Sequence, residues 1–173
     1  MASAADRRLF WGTVLGVVGL DLLTKYAAEA VLVHRPIPVI GDYVMLRLVY
    51  NQCAAFGVCL GPALYSRWIF LALELVALVV LGSMVRATKD GEQFRFFVLG
   101  LLCAGAVGNV IDRLRSAQGV VDFIEVGIGR YRWPTFNVAD SAITVGAIAL
   151  AIALWAESHE PPEGQPKEAG AAS

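Results

Sequence analysis

Four apolar segments, Leu9 to Ala30, Trp68 to Val85, Phe96 to Ile111 and Val138 to Trp155, decide what this 173-residue chain can fold into. The second alone is 18 residues long, about 27 Å as a helix and close to the thickness of a hydrocarbon core. A backbone in lipid finds no water for its N–H and C=O groups, so each segment is expected to be a helix. The expected fold is therefore an all-α membrane protein, a four-transmembrane-helix bundle. With 57% hydrophobic residues, the composition exceeds that of an ordinary soluble domain.

The connections differ in kind. Between the first two helices, Ile37-Pro38-Val39-Ile40, Gly41-Asp42-Tyr43 and Val44 to Tyr50 mix turn residues with β-branched and aromatic ones. That mixture predicts a small extramembrane β element between helices one and two. Ala87 to Arg95 is short and charged, a turn outside the bilayer. Residues 158–173, rich in Pro, Glu, Gly and Ala, read as a disordered cytoplasmic tail, which leaves 1–157 as a single integral membrane domain. Arg7 and Arg8 ahead of an apolar run could open a signal peptide, but no small-residue cleavage site ends the run. The hydrophobicity continues past Asp21 and Lys25, so the segment reads as a retained span. Small residues at four-residue spacing, Gly12 with Gly16 and Gly100 with Ala104 and Gly108, predict close helix packing.

A net charge of −1 offers no basic field to nucleic acid. Cys53, Cys59 and Cys103 form no C-x-x-C, and His34 and His159 are the only histidines. No metal, cofactor or histidine catalysis is expected. With four spans, the end of helix one, the β element, the end of helix three and the start of helix four share one face of the membrane. Arg7 and Arg8, the charges nearest helix one, favour a cytoplasmic N-terminus.

That one face holds a concentration of costly polar residues. Asp21 and Lys25, four apart, lie on one helical face as an ion pair, which by itself reads most simply as an anchor between helices. Asn109-Val110-Ile111-Asp112 and Asn137-Val138-Ala139-Asp140 each put an amide beside a carboxylate on one helical face. An asparagine there can orient its aspartate, since it both donates and accepts. Helix capping is the plainer reading, and it suits Asn137 but not Asn109. Asp112, Asp122 and Asp140 are then candidates for a carboxylate pair sharing one proton, a general acid and base needing neither metal nor histidine. Asp112 has Arg113 beside it, a cation to hold it ionised in a positioning role. Asp122 lies among Val120, Val121, Phe123 and Ile124, which favour a retained proton, so Asp122 with Asp140 is the preferred pair. Asn51 to Gly57 reads as a tight loop or a ligand clamp. Arg113, Arg115, Arg130 and Arg132 suit lipid headgroups. Glu74, mid-span in helix two, calls for a polar partner or a proton.

In these motifs the chain resembles the lipoprotein signal peptidases, the bacterial signal peptidase II family of membrane aspartic proteases. The resemblance rests on Asp21-Leu22-Leu23-Thr24-Lys25, Asn51 to Gly57, Gly108 to Arg113, Val120 to Phe123 and Phe136 to Ser141, in order around four spans. It implies removal of the signal peptide from a diacylglyceryl-modified prolipoprotein, just before the lipidated cysteine, at the outer face of the bacterial inner membrane. It further implies Asp122 and Asp140 as the catalytic dyad and Asn51 and Arg113 as substrate contacts. Asn109, Asp112 and Asn137 support the site, with Asp21 and Lys25 beside them; the enzyme is expected to be a monomer among membrane lipids. Cys53 stands where the family usually has glycine, so the loop is less free to adopt a left-handed backbone, and a bridge to Cys59 is left open. A second reading is a non-enzymatic proton-coupled carrier or membrane assembly subunit. It predicts carboxylates spread through the membrane depth, and only Glu74 fits it.

Overall fold

The computed structural model describes residues 3–53 and 63–159. Residues 54–57 of the Asn51 motif, Cys59 and almost all of the expected tail lie outside the described residues. In chain order the elements are α1 (Ala4–Val31), β1 (Ile37–Ile40), β2 (Val44–Asn51), α2 (Ala63–Ala87), α3 (Gln93–Arg115), β3 (Val120–Ile128), β4 (Tyr131–Arg132) and α4 (Val138–His159). Each helix runs past the ends of the apolar segment that predicts it, except that α4 begins at Val138 as expected.

The central helix is α3, which packs against each of the other three. Phe96, Val98, Leu99 and Leu102 meet Phe10 and Val14 of α1 in one buried cluster. Small residues make the approach possible. A Cβ on Gly100 would lie 3.0 Å from Thr13, one on Gly105 would lie 2.5 Å from the Ala139 carbonyl, and one on Gly108 would lie 2.5 Å from the Asp21 carboxylate. Gly12 and Gly16 depart from the expected close packing: no atom lies within 4 Å of a Cβ built there, because both face away from α3. At its start α1 is capped reciprocally. The Ser3 side chain accepts from the Asp6 N–H and the Asp6 carboxylate accepts from the Ser3 N–H. Asp6 also accepts from the Gly91 N–H and so ties down the turn between α2 and α3.

Among the described residues, three helices are long and apolar enough to cross a membrane: Tyr65–Ala87 of α2, all of α3 and all of α4. The first expected span, α1, is not one of them, and it carries Asp21 and Lys25 within its apolar run.

The β element is larger than expected and is assembled from two parts of the chain. The sheet has order β1-β2-β3-β4, every neighbouring pair antiparallel. The expectation of an element built only between helices one and two is therefore corrected: β3 and β4 enter from the connection after α3. Val120, Val121 and Phe123 are buried, and these β-branched and aromatic residues suit a strand covered on both faces. In the β2–β3 register Val49 pairs with Asp122, Tyr50 with Val121 and Asn51 with Val120. Gly119 precedes β3 at φ +100, and a Cβ there would lie within 2.3 Å of the Asn51 carbonyl. Only glycine meets both demands.

Candidate active site

At the end of α3 nearest the sheet, charged and amide side chains from every helix but α2 are packed into one buried cluster. Lys25, Asp21, Asp112 and Asn137 are fully buried and Asp122 is 1% exposed. Lys25 Nζ lies 2.8 Å from Asp21 Oδ2 and 2.8 Å from Asp112 Oδ2, and it donates to Asn109 Oδ1 at 3.2 Å. An ammonium has three protons, and here each has an acceptor. The expected Asp21–Lys25 pair is present, enlarged by Asp112. The cations holding Asp112 are Lys25 and Arg115, whose Nε donates to Asp112 Oδ1 at 2.9 Å. Arg113, expected in that role from sequence adjacency, points elsewhere. Adjacent residues on a helix are about 100° apart, so Arg115, three residues on, is the natural partner.

Lys25 also fixes the orientation of an amide. Because an ammonium only donates, Asn109 must turn its oxygen toward Lys25 and its NH₂ away. That NH₂ donates to Asp140 Oδ1 at 2.8 Å. Asp112 Oδ2 in addition accepts from the Val121 N–H at 3.1 Å, anchoring β3 one residue before Asp122.

Asn137 performs two tasks. It caps α4: its Oδ1 accepts from the Asp140 N–H at 2.8 Å, while Asp140 Oδ2 accepts from the Asn137 N–H at 3.3 Å. Its Nδ2 donates to Asp122 Oδ1 at 2.8 Å and reaches Val121 O at 3.2 Å. The capping reading and the orienting reading are both realised by one side chain. Asp21 Oδ1 accepts from the Ala139 N–H at 2.9 Å, so another unpaired donor of the first turn of α4 is satisfied from α1.

Asp122 and Asp140 are thus brought together from β3 and α4, and both line a cleft of about 730 Å³. Its walls are mostly apolar, with Phe70, Leu73 and Ala77 from α2 and Ile143 and Val145 from α4. Asn51 enters from β2, its Nδ2 donating to Asp122 Oδ2 at 2.9 Å. Burial is the main cause that raises the Asp122 pKa to about 7, followed by the negative charge of Asp140; the amide donors and Lys25 act in the opposite direction. A protonated carboxyl beside an ionised one can serve as a general acid and a general base without a metal.

Arg113 and Glu74 complete the wall. Arg113, 5% exposed, donates through Nη1 to Glu74 Oε1 and through Nη2 to the Cys53 carbonyl at 3.1 Å. The polar partner that Glu74 requires is this guanidinium. Two features escaped sequence reasoning. One is the strand around Asp122, signalled by the run Val120-Val121-Asp122-Phe123-Ile124. The other is the Glu74–Arg113 pair, 39 residues apart, for which no local signal exists.

A family model for signal peptidase (SPase) II matches residues 13–156. A lipoprotein signal peptidase of Paraburkholderia phytofirmans is 38% identical over 152 residues, 87% of each chain. One from Syntrophus aciditrophicus is 35% identical over 154 residues, covering 88% of this chain and 95% of the relative. A solved structure described as a bacterial membrane enzyme superposes with a TM-score of 0.79 at 31% identity, covering 91% of this chain and 94% of the other.

Proposed function

The chain belongs to the signal peptidase II family and is an aspartic endopeptidase that removes signal peptides from prolipoproteins; on that premise we propose that Asp122 and Asp140 are its catalytic dyad. The observation that carries the assignment is Asn137, which binds Asp122 through its amide and Asp140 through a reciprocal helix cap, holding both on one cleft wall.

In the proposed cycle Asp122 holds the shared proton and Asp140 is the carboxylate base. Asp140 takes a proton from water as the oxygen attacks the scissile carbonyl carbon, and Asp122 gives its proton to the carbonyl oxygen. On collapse the C–N bond breaks, the leaving amine takes the proton from Asp140, and Asp122 regains its own. Asn51, Asn109 and Asn137 orient the carboxylates, and Arg113 holds the Cys53 carbonyl; Lys25, Asp21 and Asp112 keep the helix ends in register. The substrate is a diacylglyceryl-modified prolipoprotein cut just before its lipidated cysteine. The apolar α2–α4 wall suits the acyl chains, and lipid anchoring brings the scissile bond to the dyad as an effectively intramolecular reactant. Arg113 and Asn51 on the cleft wall also suit contacts with the peptide.

We further read α1 as a fourth span of a monomeric inner-membrane protein, with the site at the outer face and both termini in the cytoplasm. The carboxylates gather at one end of the bundle, and Glu74 is paired, which favours the peptidase over a carrier with groups strung through the membrane. The test is a gel-shift assay of the purified protein with lipidated prolipoprotein and its unlipidated counterpart. Cleavage of the lipidated form alone, lost in Asp122→Asn and in Asp140→Asn and partly retained in Asp112→Asn, is the expected result. Turnover by Asp122→Asn with none by Asp112→Asn would move the dyad.

A further inference from the structure

Glu74 is the one acidic side chain on α2, and among the described residues its hydrogen-bonding partner is Arg113. From Arg113 the hydrogen bonds continue without a gap. Arg113 Nη2 donates to the Cys53 carbonyl at 3.1 Å, the Cys53 N–H donates to Asn51 Oδ1 at 2.9 Å, and Asn51 Nδ2 donates to Asp122 Oδ2 at 2.9 Å. Each link fixes the next. An asparagine whose oxygen is engaged by the Cys53 N–H must present its NH₂ to Asp122. Cys53 thus carries both links, its N–H on Asn51 and its carbonyl on Arg113, and Arg113 is held at its other edge by Glu74. The guanidinium is planar, so fixing one terminal nitrogen fixes the direction of the other. The ring centroid of Phe70, on α2, lies 5.8 Å from the Arg113 guanidinium carbon and limits its swing.

We propose that Glu74 is a positioning residue for the peptidase reaction, setting through Arg113 and the Asn51–Cys53 segment the hydrogen bond that orients Asp122. The inference rests on Asp122 being catalytic. It places a determinant of the dyad on α2, a helix that contributes nothing to the cluster around Lys25. It also gives an intramembrane carboxylate a task that no local motif announces.

Two substitutions separate positioning from charge. Glu74→Gln keeps the acceptor oxygen at its place opposite Arg113 Nη1 and gives up the charge. Glu74→Asp keeps the charge and withdraws the acceptor by one methylene. Both are measured in detergent on lipidated prolipoprotein, with kcat, KM and the pH profile of each. Positioning predicts that Glu74→Gln stays within about threefold of the parent kcat while Glu74→Asp loses about tenfold or more.

The pH profile supplies a readout that a merely structural role would not move. The Asn51 bond lowers the Asp122 pKa, so weakening it in Glu74→Asp shifts the alkaline limb to higher pH. The charged groups around Asp122 are Asp140 from α4, Lys25 from α1, Asp112 and Arg113 from α3 and, on the same cleft, Glu74 from α2; only Glu74 changes in these variants, and Glu74→Asp keeps its charge. Four results overturn the inference: the reverse order of the two variants, parental kcat in both, equal loss of kcat in both, or lost activity with an unmoved alkaline limb. An inactive parent protein would instead count against the peptidase reading itself.

Discussion

Lys25 is satisfied by Asp21, Asp112 and Asn109 in a fully buried site, and removing it would leave two buried carboxylates facing each other. Lys25→Met should therefore destabilise the fold by about 3–5 kcal/mol, the usual cost of breaking a buried charge cluster from one side. Thermal unfolding in detergent measures it, and a change under about 1 kcal/mol would show that the cluster collapses onto water or repacks. Asp122 behaves in the opposite sense. Its pKa in the fold, about 7, lies above the ordinary 3.8. Between those values the unfolded chain releases a proton that the folded chain keeps, so stability falls as pH rises through that window and the loss is complete above it. Asp122→Asn removes this dependence. The variant's melting temperature relative to the parent should climb from about pH 4 to about pH 8, while cleavage is abolished. In the parent, kcat/KM should decline above about pH 7 as Asp122 ionises.

At the scale of elements the site depends on how closely backbones approach. Gly119 and Gly129 both have positive φ, at +100 and +56, but only Gly119 has a neighbour where a Cβ would go, the Asn51 carbonyl. Gly129→Ala is expected to cost about 1 kcal/mol with activity intact. Gly119→Ala should displace Asn51 from Asp122 and cut kcat by about a hundredfold, since small displacements near a dyad are expensive. Equal activity in the two variants would refute the distinction. These elements also show what was legible in the sequence. The apolar runs announced all four helices, because a long helix with an apolar surface leaves a long signal in the sequence, and Asn137 announced itself as a cap with an aspartate three residues on. The strand carrying Asp122 was legible only as an apolar setting: Val120 to Ile124 pairs with β2, some seventy residues away, and nothing local gives a strand's partner. Gly108 looked like helix packing, and it is packing, but against the Asp21 carboxylate. The cations on Asp112 were misread for a similar reason: sequence adjacency suggested Arg113, while helical geometry selected Arg115 and the fold supplied Lys25.

For the molecule as a whole, α1 decides whether the site sits across the membrane from the N-terminus. It has 28 residues, about 42 Å at 1.5 Å per residue, longer than a hydrocarbon core of about 30 Å. Of the three charges in its apolar run, Asp21 and Lys25 are completely buried, and Glu29, near its end, is half-buried against Arg115. Trp11, Leu15, Leu20, Leu23 and Tyr26 are more than half exposed, an apolar face that suits lipid. A helix that buries Asp21 and Lys25 against α3 and turns leucines outward meets the solvent demands of a span. The prediction is that the N-terminus and the β3–β4 turn lie on opposite sides. A protease-cleavable tag inserted between Gly129 and Arg130 should be cut from outside intact spheroplasts, and the same tag ahead of Ser3 should be cut only after lysis. If both tags are cut from outside, or both are protected, α1 lies along or outside the bilayer. The cleft would then be approached from the side of the N-terminus, and the outer-face assignment of the dyad would have to be abandoned.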